Sequence, residues 1–295
     1  MRTTGSILAV DIGGTKLAAG VVDQAGVLRS QARTPTPHTN DAEELFSGLV
    51  TIVEAIHTSQ AADEPPVACG VGCGGPMTAG GELVSPLNIP AWRDFPLRSR
   101  LAAATGLPTF VDNDAKALAL AEGWQGAAVG HANYLAMVVS TGIGAGIVLG
   151  GRLLDGEAGN AGHLGHVIVV PGGRRCRCGA RGCLEAEASG TAIAALTGRS
   201  AAEAGPEMVA RAGQLVGQAV ASAANLLDLR LAVVAGSVAL GFGEPFFAAA
   251  QAELDRSACL AFSAGARIVP AGLGADGPLL GAAAVGLQGL ERAAG

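Results

Sequence analysis

The chain has 295 residues, of which 49% are hydrophobic and only 3% are aromatic, and its formal net charge is −6. This length suffices for one large domain or two modest ones with aliphatic cores. The acidic balance excludes a broad nucleic-acid-binding surface, because such a surface needs a basic field.

Strands and helices alternate along the chain, which predicts an α/β fold. Short apolar runs predict strands at 7–11, 17–22, 27–34, 67–73, 109–112, 135–139, 147–149, 231–235 and 267–271. Helical spacing predicts helices at 41–57, 97–105, 115–122, 206–228, 245–260 and 279–290. Residues 7–22 and 135–149 share one pattern: a strand, a glycine turn with a threonine, and a second strand. We therefore expect two similar halves that hold a nucleotide.

The remaining global features indicate a cytoplasmic protein. The first seven residues carry no signal-peptide pattern. Residues 123–151 lack charged side chains, but their glycines break the apolar run, so we expect no membrane-spanning helix. Six cysteines, three of them clustered, fit a reducing cytosol and a metal site better than a disulfide framework.

Glycines follow the first predicted strand in Asp11-Ile-Gly-Gly-Thr15-Lys16. Their backbone N–H groups can approach phosphate oxygens closely, Thr15 adds a hydroxyl, and Asp11 is a candidate Mg²⁺ ligand. A strand follows where a Walker A motif would begin a helix, so this motif is a different one. A plain hairpin turn explains the same residues equally well.

A second glycine-rich run, Thr-Gly-Ile-Gly-Ala-Gly, extends from Thr141 to Gly146 between two predicted strands. Taken alone, it is explained as well by an ordinary turn as by a phosphate loop. The similar placement of the two runs favours phosphate binding, with one loop from each half cradling the β- and γ-phosphates.

Asn113 and Asp114 lie at the end of a predicted strand, directly before a predicted helix. In open α/β sheets, ligands bind at this carboxyl edge. The Asp114 carboxylate could accept the proton of a substrate hydroxyl as that oxygen attacks phosphorus. The alternative is a helix N-cap, for which Asp is a favoured residue.

A cluster of cysteines with a nearby histidine predicts a zinc site. Three thiolates and one imidazole complete a tetrahedral structural site with no open position. Four arginines among the cysteines argue against buried, inert thiols. The predicted ligands are His166, Cys176, Cys178 and Cys183. The other three cysteines, Cys69, Cys73 and Cys259, are predicted to be small buried apolar residues.

His163, His166 and Glu185 surround the predicted metal loop and suggest part of an active site. Surface positions explain the two histidines equally well. Glu185 also fits a solvated carboxylate in the first turn of a helix.

Seven motifs occur in order: Asp11-Ile-Gly-Gly-Thr-Lys, Asn113-Asp114-Ala115, Ser140-Thr-Gly-Ile-Gly-Ala-Gly, Ala161-Gly-His-Leu-Gly-His166, the cysteine run 176–183, Glu185 with Ser189-Gly190, and Ala235-Gly-Ser237. From residue 6 to about residue 290, the chain resembles the ROK family (repressors, open reading frames, kinases). The resemblance implies an actin-like ATPase (ribonuclease H-like) fold of two α/β domains with a cleft between them. We predict one domain at 1–114 with the C-terminal helix 279–295, and a second, with the zinc loop, at 115–278.

The resemblance also implies transfer of the γ-phosphoryl group from ATP, with Mg²⁺, to a sugar 6-hydroxyl, with Asp114 as the catalytic base. Sugar contacts of the family fall on Asn88, Asn113, Asp114, His163, His166 and Glu185, and His166 doubles as a ligand of structural Zn²⁺. Nucleotide contacts fall on Asp11, Gly13, Gly14, Thr15, Lys16, Thr141, Gly142, Gly144, Gly236 and Ser237. Small-molecule sugar and ATP are the expected partners, in a homodimer or homotetramer, without nucleic acid or membrane.

The chain departs from the family pattern at His163, where family glucokinases have a glutamate that accepts hydrogen bonds from hydroxyls near carbons 1 and 2 of the sugar. A neutral imidazole offers one donor and one acceptor instead. Histidine at this position resembles the bacterial N-acetylmannosamine kinases, so glucose and N-acetylmannosamine both remain candidates. Two milder departures are Gly74 in place of a common proline and Thr78 where aspartate is frequent.

Two alternatives to a kinase follow from the same family: a non-catalytic sugar sensor, and a transcriptional regulator without its DNA-binding domain. Asp114 and the two glycine loops favour the kinase over the sensor. The first loop begins at Asp11, so we expect no helix-turn-helix domain before it. Polyphosphate in place of ATP as the donor stays open.

Overall fold

A computed structural model of the chain describes residues 5–59 and 65–294. The N-terminal residues 1–4, on which the predicted absence of a signal peptide partly rests, lie outside the described part. Within the described part, no helix combines the length and apolar character needed to cross a membrane.

The strands are β1 (Ser6–Ile12), β2 (Lys16–Val22), β3 (Leu28–Pro35), β4 (Pro66–Cys73), β5 (Thr109–Asn113), β6 (Tyr134–Val139), β7 (Ile143–Leu149), β8 (Arg152–Leu153), β9 (Leu231–Ala235) and β10 (Arg267–Pro270). The helices are α1 (Ala42–Ser59), α2 (Leu97–Thr105), α3 (Asp114–Gln125), α4 (Leu184–Ala188), α5 (Gly190–Thr197), α6 (Pro206–Leu227), α7 (Ser237–Phe242), α8 (Glu244–Ser257) and α9 (Gly277–Ala294).

The strands form two five-stranded sheets with the same topology. The first has the order β3-β2-β1-β4-β5, and the second has the equivalent order β8-β7-β6-β9-β10. In each sheet the first three strands in chain order are antiparallel neighbours, and the last two continue the sheet in parallel. The repeated strand-turn-strand pattern of the sequence therefore marks the first two strands of each sheet.

The chain divides into two compact units. The first comprises residues 1–125, 155–161 and 275–295, and the second comprises 126–154 and 162–274. The predicted division after residue 114 differs from this one mainly by α3, which packs against α9 within the first unit. Each unit has its own hydrophobic core; the first includes Leu8 and Trp92, and the second includes Val216 and Phe246.

Several elements differ from those predicted by the local sequence pattern. The predicted turn at 141–146 is shorter, because β7 begins at Ile143 and its pairing with β6 carries Gly144 and Gly146 within the ladder. The short helices α4, α5 and α7 and the strand β8 were not predicted. Cys69 and Cys73 are buried as predicted, whereas the prediction for Cys259 was wrong: its side chain is exposed beyond the end of α8.

Candidate functional site

The first unit gathers two carboxylates at the carboxyl ends of three parallel strands. In the register of β1, β4 and β5, Asp11 lies beside Gly72, and Gly72 lies beside Asp112. Two residues further on, Asp114 begins α3. A Cβ atom at Gly72 would lie 3.8 Å from Asp11 Oδ1 and 3.7 Å from the Cα of Asp114, so the glycine leaves the space between them open. We call Asp11 and Asp114 the acidic corner.

Burial raises the pKa of both carboxyls of the acidic corner. Burial, and secondarily the charge of Asp114, raise the pKa of Asp11 from 3.8 to about 7, although Lys16 and Arg33 oppose the shift. Burial likewise raises the pKa of Asp114 above its ordinary value, against the N–H hydrogen bond from Ala115. Such raised carboxyl pKa values are typical of catalytic sites. They also make the corner a place where a divalent cation would stabilise negative charge.

The sequence left open whether Asp114 serves as the N-cap of the helix that follows it. In the structure Asn113 shares this capping role. Its Oδ1 accepts a hydrogen bond from the N–H of Ala115 at 3.0 Å. Asp114 Oδ1 accepts from the same N–H at 2.8 Å. Since Asn113 satisfies the helix terminus as well, capping alone does not account for a buried carboxylate at the first position of α3.

The first glycine loop lies against the predicted sugar-contacting residue Asn88. A Cβ atom at Gly14 would lie 3.0 Å from the side-chain amide nitrogen of Asn88. The loop is fixed from the other side by Thr36, whose hydroxyl donates to Gly13 O at 2.7 Å and whose N–H donates to Thr15 O at 3.1 Å. The side chain of Thr15 is exposed. The first unit thus brings together the predicted residues 11–16, Asn88, Asn113 and Asp114.

Glu185 fixes the second glycine loop in the second unit. Its Oε2 accepts from the N–H of Ile143 at 3.0 Å, and a Cβ atom at Gly142 would lie 2.8 Å from that oxygen. The second bond of this turn joins Ser140 N–H to Gly142 O at 2.9 Å. The sequence offers no local signal for the Glu185 contact, because the partners are 42 residues apart.

Gly236 and Ser237, predicted to lie near adenosine, join the same loop. The hydroxyls of Ser237 and Ser140 are 2.9 Å apart. Gly236 has φ of 102°, and a Cβ atom there would lie 2.3 Å from Val139 O, so only glycine fits between β9 and β6. Gly144, in contrast, lies inside β7 opposite Val138 and outside the turn.

Residues 162–166, which we call the histidine segment, pack closely against β7. Cβ atoms at Gly162 and Gly165 would lie 2.4 Å from Ala145 O and 2.1 Å from Ile143 O. Between and after these glycines come His163, whose side chain is exposed, and His166, with ring centroids 5.9 Å apart. Close backbone packing on β7, together with the 3₁₀ turn Leu164–His166, thus holds the segment that carries both imidazoles.

The donor atoms of His166, Cys176, Cys178 and Cys183 all lie within 4.8 Å of one another. His166 Nδ1 is 3.5 Å from Cys176 Sγ, and Cys178 Sγ is 3.7 Å from Cys183 Sγ. With zinc–sulfur bonds of about 2.3 Å, a tetrahedral ion separates its sulfur ligands by about 3.8 Å. The donor set and its spacing therefore fit Zn²⁺. Because Nδ1 faces the cluster, Nε2 of His166 is the nitrogen left for another partner.

The pKa shifts of the clustered thiols also fit a metal site. Burial, with help from the two neighbouring thiols, raises the pKa of Cys183 to about 12. Hydrogen bonding, first from the backbone of Ala180, lowers the pKa of the exposed Cys178. A divalent cation is what allows several crowded cysteines to become thiolates together. We call residues 174–183 the cysteine loop.

The order of these features along the chain matches the ROK family over residues 7–288. The chain belongs to the ROK family. It is 39% identical over 254 residues to the N-acetylmannosamine kinase of Citrobacter koseri, with 81% of this chain and 85% of that protein covered. The ROK hexokinase of Thermus thermophilus aligns with a TM-score of 0.83 at 36% identity, over 97% of this chain and 99% of that one. A ROK family glucokinase from Streptomyces griseus, solved with glucose and AMPPNP, aligns with a TM-score of 0.82 at 31% identity, over 96% and 100% of the two chains.

The two solved ROK proteins confirm the predicted α/β fold of the actin-like ATPase class. Within this ROK chain, sequence reasoning missed the contacts that hold the functional residues. Thr36 on the first loop and Glu187 under the cysteine loop are examples. Glu187 is buried, accepts from Arg174 N–H at 2.7 Å and pairs with Arg211 at 2.6 Å. Glu187 lies in a helix of only five residues, and its burial is visible in the structure but not in the sequence.

Proposed function

We propose that this ROK protein is an ATP-dependent sugar kinase that phosphorylates the 6-hydroxyl of a hexose or N-acyl hexosamine, with N-acetylmannosamine as the foremost candidate and glucose as the second. The observation that carries the proposal is the acidic corner of the first unit. A buried carboxyl with a raised pKa, directly after β5, is suited to act as a general base.

Asp114 is the general base in this proposal. It takes the proton from the sugar hydroxyl while that oxygen forms a bond to the γ-phosphorus. The bond from phosphorus to the β–γ bridging oxygen breaks, and its electron pair leaves with ADP. Mg²⁺ would be held through Asp11 and would neutralise phosphate charge. The backbone N–H groups near Gly13 and Gly14 would bind the same phosphates.

In the second unit, Thr141 and Gly142 would supply the second phosphate loop, and Gly236 with Ser237 would contact adenosine. His163, His166 and Glu185 would bind sugar hydroxyls. His166 can serve both sugar and metal, because its Nδ1 faces Cys176 and its Nε2 does not. Zn²⁺ on the four cluster ligands would have a structural role, since the protein fills every position.

His163 supports an N-acyl hexosamine over glucose. An exposed imidazole gives one donor and one acceptor in place of a carboxylate that only accepts. The similarity to a protein named N-acetylmannosamine kinase agrees with this preference. Retention of Asp114 and of both loops supports an enzyme over a sugar sensor or a regulator.

The test compares wild type with His163→Glu on glucose, mannose, allose, N-acetylglucosamine and N-acetylmannosamine, with ATP or polyphosphate as donor. Sugar phosphate is quantified by mass spectrometry. We expect the highest kcat/KM with N-acetylmannosamine and ATP in wild type. We expect His163→Glu to shift the ratio of kcat/KM toward glucose by about tenfold, since one polar contact changes. The matched control is His131→Glu, an exposed histidine of the second unit outside the site. No phosphorylated sugar from wild type with either donor would favour the sensor.

A further inference from the structure

Lys116 is an almost fully buried lysine in the first turn of α3, two residues after Asp114. Its relative exposure is 2%. Lysine is rarely buried to this degree unless its charge is paired, because removing an ammonium group from water is costly. Its position so near the proposed base raises the question of what it binds.

The ammonium group of Lys116 has three donors and meets three acceptors. Nζ lies 2.8 Å from Asp112 Oδ1, 2.8 Å from Asp155 Oδ1 and 3.0 Å from the carbonyl oxygen of Gly159. These partners match the three N–H bonds of lysine. Asp112 belongs to the adjacent strand, whereas Asp155 and Gly159 lie 39 and 43 residues further along the chain.

Those two distant partners belong to one short segment, the 155–161 loop. The loop is part of the first unit, although the residues on either side of it along the chain belong to the second. The N–H of Ala161 closes it by donating to Asp155 O at 2.9 Å. Asn160 adds a second attachment: its side-chain amide donates to Met77 O at 2.9 Å, and its Oδ1 accepts from Met77 N–H at 3.3 Å.

The chain that leaves this loop is the histidine segment. Ala161 is followed directly by Gly162 and His163, and His166 comes three residues later. The loop therefore leads directly, along the backbone, into His163 and His166, to which the proposed function assigns sugar binding. A shift at residue 161 passes into Gly162 through one peptide bond.

We propose that Lys116 is a positioning residue for the sugar-binding histidines, acting through the 155–161 loop. The inference rests on the proposed function in so far as His163 and His166 bind the sugar. The charged hydrogen bonds of Lys116 hold the loop at its first residue, Asp155, and at Gly159, two residues before its last. Because Ala161 N–H in turn donates to Asp155 O, these bonds support the point from which the histidine segment begins. Displaced imidazoles would meet the sugar with poorer hydrogen-bond distances and angles, which weakens substrate binding even when no contact is removed.

A role in stability alone is the competing explanation, and the bonding pattern argues against it. Asp112, four residues before Lys116, already provides a carboxylate partner for a helix lysine. Two of the three bonds go instead to a loop with no helix or strand of its own. Arg292 places a second cation on Asp155, at 3.2 Å from Oδ2, which balances the two carboxylates around one ammonium group.

The experiment compares full-length wild type, Lys116→Met, Asp155→Asn and the double variant. For Lys116→Met we expect the sugar KM to rise about tenfold, with the KM for ATP within twofold and kcat within threefold of wild type. Amide hydrogen exchange of residues 155–166 should become faster, because the loop loses its buried anchor. In the Asp155→Asn background the effect of Lys116→Met should be smaller, since both variants break one shared contact.

Arg98→Met is the matched control. It also removes a cation of the first unit, and its ion-pair partner Glu82, at 2.8 Å, lies outside the loop. Its sugar KM and the exchange of residues 155–166 should equal those of wild type. If Lys116→Met does not fold, Asp155→Asn carries the test, because that side chain is 39% exposed.

Two results would overturn the inference. One is an unchanged sugar KM in both single variants of a wild-type enzyme that does phosphorylate sugar. The other is unchanged exchange of residues 162–166 in the variants. Failure of the proposed function is a separate outcome, because it shows as absence of sugar phosphate from wild type, and the exchange measurement still decides whether Lys116 holds the histidine segment.

Discussion

The acidic corner and the cysteine loop are built by opposite means. The corner takes its geometry from the register of three parallel strands, in which Asp11, Gly72 and Asp112 lie side by side. The cysteine loop has, within itself, only an isolated bridge between Arg175 and Arg181, and backbone hydrogen bonds such as Cys176 N–H to Ala180 O hold it. Its three cysteines share with His166 a cluster of donor atoms within 4.8 Å of one another. The corner takes its geometry from its sheet, whereas a metal bound to the cluster is expected to add to the contacts that hold the cysteine loop.

The largest effect should come from Asp114→Asn, which removes the proposed base while keeping its shape. Because the amide cannot accept the proton, kcat should fall about 1,000-fold, within the usual range for a general base. Sugar affinity, measured by calorimetry without ATP, should stay within about threefold, because binding does not require proton transfer. The matched control is Asp228→Asn, an exposed residue whose φ of 54° asparagine tolerates well. Activity near that of wild type in Asp114→Asn would remove this residue from the mechanism.

Loss of one metal ligand should separate the two regions most clearly. In Cys178→Ser, zinc affinity should fall more than about 100-fold, because one of four ligands is lost. Metal analysis should find less than about one zinc per several chains after dialysis against a chelator. The sugar KM should rise about tenfold and by more than the KM for ATP, because His166 and Glu185 flank the loop whereas the first glycine loop does not.

The exposed Cys259 provides the control for that variant. Its sulfur lies near backbone carbonyls at the end of α8 and far along the chain from the cluster. Cys259→Ser should keep both zinc and sugar affinity. Full zinc content in Cys178→Ser would contradict the four-ligand site, and an equal rise of both KM values would contradict the division between the regions.

The same contrast decides what could be predicted from the sequence. The ends of β1 and β5 were predictable, because a local apolar run stops at Asp11 and again before Asn113. The cysteine spacing likewise predicted that the donor atoms of Cys176, Cys178 and Cys183 would lie close together. The Lys116 contact to Asp155 and the Glu185 contact to Ile143 were not predictable, since each joins residues about 40 positions apart. No periodicity records which distant backbone a side chain meets.

Glycines also show that local sequence does not predict tertiary contacts. Sequence reasoning placed Gly144 in a turn, but pairing with Val138 draws it into β7. Gly162 and Gly165, for which no structural prediction was made from the sequence, are where the histidine segment contacts β7. For Gly144, tertiary pairing outweighs the local preference of glycine for turns.

The smallest effect tests the electrostatics of the acidic corner in the absence of sugar, ATP and divalent ions. Asp11 has a pKa of about 7 in the folded protein and 3.8 ordinarily, so between these values only the folded state holds the proton. Unfolding then releases a proton, and the free energy of unfolding falls as the pH rises toward 7, by about 2 kcal/mol between pH 5 and pH 7. Above pH 7 both states are ionised, and this dependence ends.

Asp11→Asn cannot ionise, so the decline of stability between pH 5 and pH 7 should become shallower, with the residual slope due to Asp114. Urea unfolding at pH 5, 6, 7 and 8 measures the effect, with Asp228→Asn as the control that keeps the wild-type slope. An unchanged slope of unfolding free energy against pH in Asp11→Asn would mean that a group other than Asp11 binds the proton. The cation assigned to Asp11 would then have less negative charge to stabilise there. The cysteine loop should contribute no comparable slope when zinc-loaded, because its ligands are already deprotonated in that state.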